Sequence, residues 1–491
     1  MSVRRSLAWM MFSQGCLFFL QFGGSVALAR LLTPYEMGVY AVAAAIMGIL
    51  GIVQAFGLTL FIVREAEIDR DLMTSAFTIN VALSILLAIA IAGLSTFGGA
   101  FLHEPGVERV LLVLAAIPLI GAFEFLPAAN LERRAEFRVI AVMTLLRTLA
   151  STLVTVLLAF DRFSYMSIAW GGLAGAVVSA AGFTIAGRQF VSFRLGLTGW
   201  RQILRFGMQQ LAINGVNAFS TRMADLLLGR LLGLSALGLY SRASNLNNLL
   251  WYNIQMVVGR VVLVDLAGQR RLGMSLRDAY LRSLEVLTAL LWPGFGGLAI
   301  LAGPLIFVVY GKAWIAAAPA LAALAVSSIV LVSLTMTWEV FVVCEETDRQ
   351  ARFEVIRAGT GLILFSVGCL ISLTGAAVAR IAESLFSVAL YRSHMERMTD
   401  TRRAVFLSIY RRSAILTMAA CTPALALMTV YAWSPQIPIG LTMAAIAGGF
   451  AAWLGAVRLM DHVLLGELRH LIEKGRQVAG LTSGVAAHWQ G

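Results

Sequence analysis

The sequence predicts an all-α integral membrane protein. It should have about 14 transmembrane helices, in two pseudo-symmetric six-helix lobes followed by a C-terminal helix pair. Three observations carry this reading. The first is composition: of 491 residues, 59% are hydrophobic and only 13% charged, and the mean hydropathy is +0.84. No water-soluble core absorbs that much apolar surface, so lipid is the solvent for most of it. The second is length: scanned at about 20 residues, enough to cross a hydrocarbon core, the chain yields about fourteen apolar runs. The third is an internal repeat. The twelve residues Ala29–Tyr40 return 200 positions later as Gly229–Tyr240, with Arg30/Arg230, Leu31/Leu231, Leu32/Leu232, Gly38/Gly238 and Tyr40/Tyr240 identical. Each copy lies between two apolar runs, the pattern of a helix–turn–helix shared by two equivalent halves.

Span one starts near Leu7, behind the basic pair Arg4-Arg5. It is longer than a secretory apolar region of about 7–15 residues. It also carries Gln14 and Gln21 and ends inside the repeat, so it reads as a retained span. Span two begins near Val39, within the first copy. Spans three to six begin near Ala76, Val107, Val139 and Met166 and complete a first lobe over residues 1–190. The second lobe covers 191–395. It opens on Trp200-Arg-Gln-Ile-Leu-Arg-Phe-Gly207, which reads as a short amphipathic approach lying on the membrane surface. Span seven follows near Phe206, and spans eight to twelve start near Leu239, Leu281, Ala316, Val355 and Ala376. A basic loop, Arg392–Arg412, leads to the pair of spans near Ala414 and Ile437, within 396–460. In the tail, 461–491, leucines alternate with charges as far as Arg476, the pattern of a surface helix or a disordered end.

The net charge of +12 follows from placement and does not call for nucleic acid. With the N-terminus taken as cytoplasmic, the inner segments hold Arg4, Arg5, Arg64, Arg70, Arg133, Arg134, Arg138, Arg188, Arg194, Arg201 and Arg205. The second half continues the pattern from Arg270 to Arg412. Outer loops hold little more than Arg109, Arg162 and Lys312. This positive-inside bias requires an even number of spans and two cytoplasmic termini. The same arginines suit the headgroups of anionic membrane lipids.

Polar groups are costly in lipid, so those inside spans carry the most information. Span seven holds Gln210, Asn214, Asn217, Thr221 and Asp225 at spacings of 4, 3, 4 and 4, one continuous helix face with Arg222 at its edge. Span one echoes it at the same offset of 200, where Gln14 matches Asn214, Gln21 matches Thr221 and Ser25 matches Asp225. Span eight adds Arg242, Asn245, Asn248, Tyr252 and Gln255. Aligned stripes of this kind line a water-accessible cavity or serve as interhelical glue. Among the charges, Arg222 and Asp225 are three apart and suited to pair, as are Arg380 and Glu383 in span twelve. Arg147 in span five and Glu124 in span four have no local partner. At a helix centre each such charge costs about 2.5–3.5 kcal/mol, which points to use or to pairing between spans.

Nothing predicts catalysis, a cofactor or a metal. His103, His394, His462, His470 and His488 lie in loops or the tail. Cys16, Cys344, Cys369 and Cys421 lack ligand or redox spacing and read as apolar fillers. No phosphate-binding loop of the Walker type is present.

The stretch Leu28-Ala-Arg-Leu-Leu-Thr-Pro-Tyr-Glu-Met-Gly-Val-Tyr40 resembles a signature of bacterial polysaccharide transporters. So do Phe56-Gly-Leu with Val63-Arg-Glu, and Leu228-Gly-Arg-Leu-Leu-Gly with Gly238-Leu-Tyr240. These are the Wzx-like, lipid-linked oligosaccharide flippases of the multidrug/oligosaccharidyl-lipid/polysaccharide exporter superfamily. The resemblance implies two six-helix lobes around a central cavity, with two further C-terminal spans. It implies transfer of a polyprenyl-pyrophosphate-linked sugar unit between leaflets, with a polysaccharide polymerase and export machinery as possible partners. It carries over no individual binding residue. Substrate-binding candidates therefore rest on the polar positions: Arg147, Arg222, Asp225, Asn214, Asn217, Thr221, Gln14, Gln21, Arg242, Arg380 and Glu124. The cation-coupled multidrug exporters of the superfamily are the alternative. Those usually place an acid deep in an early span, whereas span one has only Gln14 and Gln21. A membrane glycosyltransferase or polymerase is a third reading, with only His103-Glu104 and Asp161 to offer near an outer loop.

Topology follows from the charge bias. Reporter fusions after Arg70, Glu136, Trp200, Leu272, Asp400 and Gly475 should read cytoplasmic, and fusions near His103, Phe163 and Lys312 external. An external Gly475 fusion would make the span count odd and remove the two-lobe plan.

Overall fold

The computed structural model describes residues 3–54, 57–64, 70–102, 104–190, 194–271 and 274–466. The side chains of residues 3–12, 53–54, 64, 70, 97–102, 209–210, 212–214, 217, 252–265 and 267 lie outside the description. Most of the charged tail pattern from Arg458 to Arg476 falls beyond it as well.

Helices α1 (Val3–Leu31), α2 (Pro34–Gln54), α3 (Leu58–Arg64), α4 (Arg70–Leu102), α5 (Pro105–Leu114), α6 (Ala116–Arg133), α7 (Phe137–Phe160) and α8 (Met166–Ala186) come first. Then follow α9 (Trp200–Leu232), α10 (Leu234–Arg271), α11 (Arg277–Ile300), α12 (Ala302–Val309), α13 (Ala318–Val332) and α14 (Thr337–Val343). The series ends with α15 (Thr347–Ile371), α16 (Leu373–Met398), α17 (Arg403–Val430) and α18 (Ile439–Leu459). No strand occurs among the described residues. Eleven segments among them are long and apolar enough to cross a membrane. With α1, α9 and α10, of 29, 33 and 38 residues, they make the fourteen expected spans of an all-α membrane protein.

Several spans are interrupted, and proline explains two of the breaks. Pro118 has no N–H to give the Leu114 carbonyl, and the fourth span divides into α5 and α6 at Ala115. Pro304 likewise cannot bond Ile300, and α11 gives way to α12 at Leu301. The tenth span breaks between α13 and α14, where Met336 adopts a left-handed φ of 60°. The expected surface approach at Trp200–Gly207 is not a separate element. It forms the first two turns of the continuous α9, which starts after Gly199 at φ 74°. Ile203 within it is fully buried in a cluster with Phe61, Ile62, Leu126 and Ala129. The same apolar side of the segment that suits a lipid surface is covered by α3 and α6.

By packing, the chain forms two compact units. One comprises residues 1–242, 309–316 and 354–376; the other comprises 243–308, 317–353 and 377–491. In the second unit, α17 and α18 close on α11. The Trp453 indole donates to the Ala289 carbonyl at 2.9 Å, and Thr288 meets Ser413 at 2.8 Å. Beyond α18, His462 Nδ1 accepts from Leu464 N–H at 3.2 Å. Its Nε2 lies 3.4 Å from Glu285, which also holds Arg412. Burial holds this imidazole below its usual pKa, against the opposing pull of Glu285.

The first unit contains the repeat. Both copies form helix, short break, helix: α1 to α2 and α9 to α10. Their exposure matches position by position, with residues 31, 33 and 35 outward and 37 and 38 inward, as are 231, 233, 235, 237 and 238. The copies touch reciprocally. A Cβ on Gly38 would stand 1.9 Å from the Leu234 carbonyl oxygen, and one on Gly238 would stand 1.9 Å from the Pro34 carbonyl oxygen. Pro34 and Leu234 are the first residues of α2 and α10. A contact in which each partner uses the same two positions has local two-fold symmetry.

Backbone cannot retreat from a Cβ as a flexible side chain does. Gly38→Ala and Gly238→Ala should each destabilise the protein by at least the 1–3 kcal/mol or so typical of overpacking, read as a lower melting temperature in detergent. Gly93→Ala, with open space around it, should be neutral or stabilising. Equal melting of Gly38→Ala and wild type would contradict the close contact.

Candidate functional site

In the first unit, the polar positions are carried by a tightly packed helix group. Helix α8 presents Gly171 and Gly175 to α7. Added Cβ atoms there would meet Thr155 Oγ1 at 1.8 Å and Ser151 Cβ at 2.9 Å. Small residues thus let the two backbones approach. Gly175 also abuts the Arg147 carbonyl oxygen, 3.1 Å from its would-be Cβ. Helix α1 covers another side of α7, with Gly24 against Thr152 Cγ2 at 2.8 Å. The backbone at Arg147 is therefore fixed, while its side chain remains 50% exposed. Its guanidinium reaches Glu124 on α6 at 3.8 Å, so the two charges without local partners pair across spans. The other Glu124 oxygen is buried with no hydrogen bond.

On α9, Thr221 is exposed and Arg222 is 44% exposed, with Asp225 Oδ2 3.7 Å from the guanidinium. Gln14 and Gln21 on α1 are exposed as well. The side chains of Asn214 and Asn217, and those of Tyr252 and Gln255 on α10, lie outside the described residues. Arg222 lies ten residues before the end of α9 and Arg147 thirteen before the end of α7. At ~1.5 Å per residue, these are ~15 and ~20 Å from the helix ends, near the middle of a ~30 Å hydrocarbon core. Both acid pairs are longer than the roughly 2.7–2.9 Å of a charge-assisted hydrogen bond. They steer each guanidinium without consuming its donors.

Arg242 is placed differently. Eight residues into α10, it is only 5% exposed, whereas Asn245, expected on the same stripe, faces outward. Arg242 Nη1 donates to Ser25 Oγ at 2.6 Å, and Nη2 lies 3.2 Å from the Met37 sulfur. Its guanidinium carbon is 5.9 Å from the ring centroids of both Tyr310 and Trp314, within cation–π range. Arg242 Nε and the Tyr310 hydroxyl are buried without hydrogen bonds. The aromatic pair belongs to residues 309–316, which sit on the end of α1. There the Trp314 indole donates to the Ala29 carbonyl at 2.7 Å and Arg30 Nε donates to the Val309 carbonyl at 3.4 Å. Sequence reasoning passed over Tyr310 and Trp314. The available signal was two large aromatics in a short connection beside Gly311, whose φ is 99°. In the second unit, Arg380 bonds Glu383 at 2.6 Å, and its carbonyl accepts from Ser327 at 2.9 Å. That pair is local, three residues apart on one helix.

Replacing a buried charged group by an apolar one of similar size is often neutral or stabilising, whereas removing a fully buried tryptophan costs about 3–5 kcal/mol. Arg242→Met should therefore keep or raise the melting temperature, and Trp314→Ala should lower it strongly. A large loss of stability in Arg242→Met would mark the cation as a structural staple.

The chain is similar to transporters and polysaccharide proteins along most of its length. It is 27% identical over 333 residues to the succinoglycan biosynthesis transport protein ExoT of Rhizobium meliloti, covering 67% of each chain. It is 25% identical over 303 residues to the lipopolysaccharide biosynthesis protein WzxC of Escherichia coli, covering 61% of each chain. Among solved structures, the lipid II flippase MurJ in an inward closed conformation superposes with a TM-score of 0.73 at 15% identity. That match covers 93% of this chain and 98% of that one. An inward-facing multidrug transporter of the MATE family superposes at 0.61 with 14% identity, over 78% of this chain and 96% of that one. At such identities the structural likeness concerns the fold. The sequence model of one family matches residues 27–319, and the chain belongs to that family, the polysaccharide biosynthesis proteins.

Proposed function

We propose that this multi-pass membrane protein moves a polyprenyl-pyrophosphate-linked oligosaccharide across the bacterial cytoplasmic membrane, for exopolysaccharide, capsule or O-antigen synthesis. Both termini lie in the cytoplasm. Residues 1–190 and 191–395 are the two symmetric lobes, and 396–460 is the added helix pair. The observation that carries this reading is the pair Arg147 and Arg222. Both are half exposed near mid-membrane and only loosely held by acids, in a chain of a polysaccharide biosynthesis family.

The chemistry fits the cargo. Pyrophosphate is anionic and resisted by hydrocarbon, and guanidinium donors match phosphate oxygens in bidentate fashion. Glu124 and Asp225 stand near the arginines while the site is empty and yield to a stronger anion. The amides and hydroxyl of Gln14, Gln21, Asn214, Asn217 and Thr221 address sugar hydroxyls. Arg242 supports the same path from the repeat end. The prenyl tail remains in lipid. With the cell interior negative, outward movement of each negative charge gains about 2.3 kcal/mol per 100 mV, so the cargo's own charge supplies direction. Relatives named for succinoglycan transport and lipopolysaccharide biosynthesis support this substrate class.

A hydrogen-bonded charge contact is worth about 1.5–3 kcal/mol, so Arg147→Ala and Arg222→Ala should each lower glycan export roughly ten- to a hundredfold per inserted protein. Lysine at either position should restore part of the loss, since charge returns without the fork. Normal export by both alanine variants, from normally abundant protein, would rule out the arginine cradle.

A further inference from the structure

We infer that Gly48 is a positioning residue for Arg222, an inference that rests on the proposed role of that arginine. Helix α2 packs against α9, and Gly48 lies where the Arg222 side chain crosses it. A Cβ on Gly48 would stand 2.4 Å from Arg222 Nε, 2.8 Å from Cδ and 3.1 Å from Cγ. All three atoms belong to one side chain, so the space left by the missing methyl is filled by the arginine. Only hydrogen at this position lets the guanidinium stem lie flat on α2. Gly51, three residues on, shows the contrast: nothing stands within 4 Å of its would-be Cβ. Neither glycine has the positive φ that would explain it by backbone conformation.

The consequence concerns where the cation sits. Arg222 is anchored in a left-right sense by two things, the Gly48 platform on α2 and Asp225 one turn along its own helix, at 3.7 Å. The acid is too far to fix the guanidinium plane, so the platform sets it. With alanine at residue 48, the stem must lift off α2, by an amount comparable to the violated contact. A long flexible side chain does this readily, so the fold survives and the change falls on the position of the charge. Displacing a positioned ligand-binding group by about 1 Å is enough to cost on the order of tenfold or more in rate.

A double-mutant cycle on the full-length protein tests this, with glycan export per inserted protein and the melting temperature of each purified variant as readouts. Gly48→Ala should lower export about tenfold while leaving the melting temperature near wild type, and Gly51→Ala should export normally. In an Arg222→Ala background, Gly48→Ala should cause no further loss, because the atoms it displaces are gone. An equal loss from Gly48→Ala in both backgrounds would show that the glycine serves helix packing, and would overturn the inference. So would normal export by Gly48→Ala where Arg222→Ala is impaired. Normal export by Arg222→Ala itself would instead overturn the role proposed for the arginine, and with it any role for its platform.

Discussion

The first unit depends on one constraint, the backbone-to-backbone contact between the two copies of the repeat. Helices normally meet through side chains, at axial separations of about 8–10 Å. At Gly38 and Gly238 there is no side chain to interpose, and each glycine lies against the first carbonyl of the opposite helix. That fixes the start of α2 against the start of α10, and through the short breaks it fixes the ends of α1 and α9 as well. The remaining features at this end are built on that junction. Arg242 reaches from α10 to Ser25 on α1. The Trp314 segment seats on Ala29 and Arg30.

The same geometry accounts for how charge is tolerated. Arg147 and Arg222 lie about equally far from their helix ends, and the backbone at Arg147 is clamped by glycine contacts. Clamping a backbone while leaving its arginine half exposed is not the arrangement of a structural ion pair, which would be shorter and better buried. Arg380 and Glu383 supply the comparison, with a bond of 2.6 Å and Glu383 only 8% exposed. The two classes were indistinguishable by spacing, since Arg222–Asp225 and Arg380–Glu383 are both three residues apart. Distance and exposure separate them.

Much of the architecture was legible because hydropathy reports the solvent and glycine in a repeat reports close approach. The spans, the helical class and the repeat that carries Gly38 and Gly238 follow from such signals. Breaks within spans were less legible, although Pro118 and Pro304 mark two of them. The partner of Arg147 was not legible, because Glu124 is 23 residues away and only the packing of α6 beside α7 brings them together. Gly48 was hidden for the same reason. It is one of 45 glycines, and its meaning lies in a side chain from another helix. The stripe logic also failed locally on α10. Helical periodicity sorts faces but does not say which face is covered, so Arg242 and Asn245 took opposite environments.

The repeat also shows which part of a symmetric design is free to differ. Residues Arg30, Leu31, Leu32, Gly38 and Tyr40 recur because each copy must end one helix and start the next against its twin. Between them, positions 33–37 diverge, and the structure gives each copy its own neighbours there. Thr33 and Glu36 form a reciprocal capping box with Pro34 at the first helical position: Thr33 N–H donates to Glu36 at 2.7 Å and Glu36 N–H to Thr33 Oγ1 at 3.3 Å. Glu36 then accepts from Ser164, and Tyr35 donates to Glu104, tying α2 to two connections of the first unit. The second copy has Gly233-Leu234-Ser235-Ala236, which cannot form that box. It turns instead on Gly233 at φ 87°. Symmetry thus resides in the backbone contact, where glycine is demanded twice. Asymmetry resides in the caps, where one helix start is cross-linked by carboxylates and the other is set by a glycine turn.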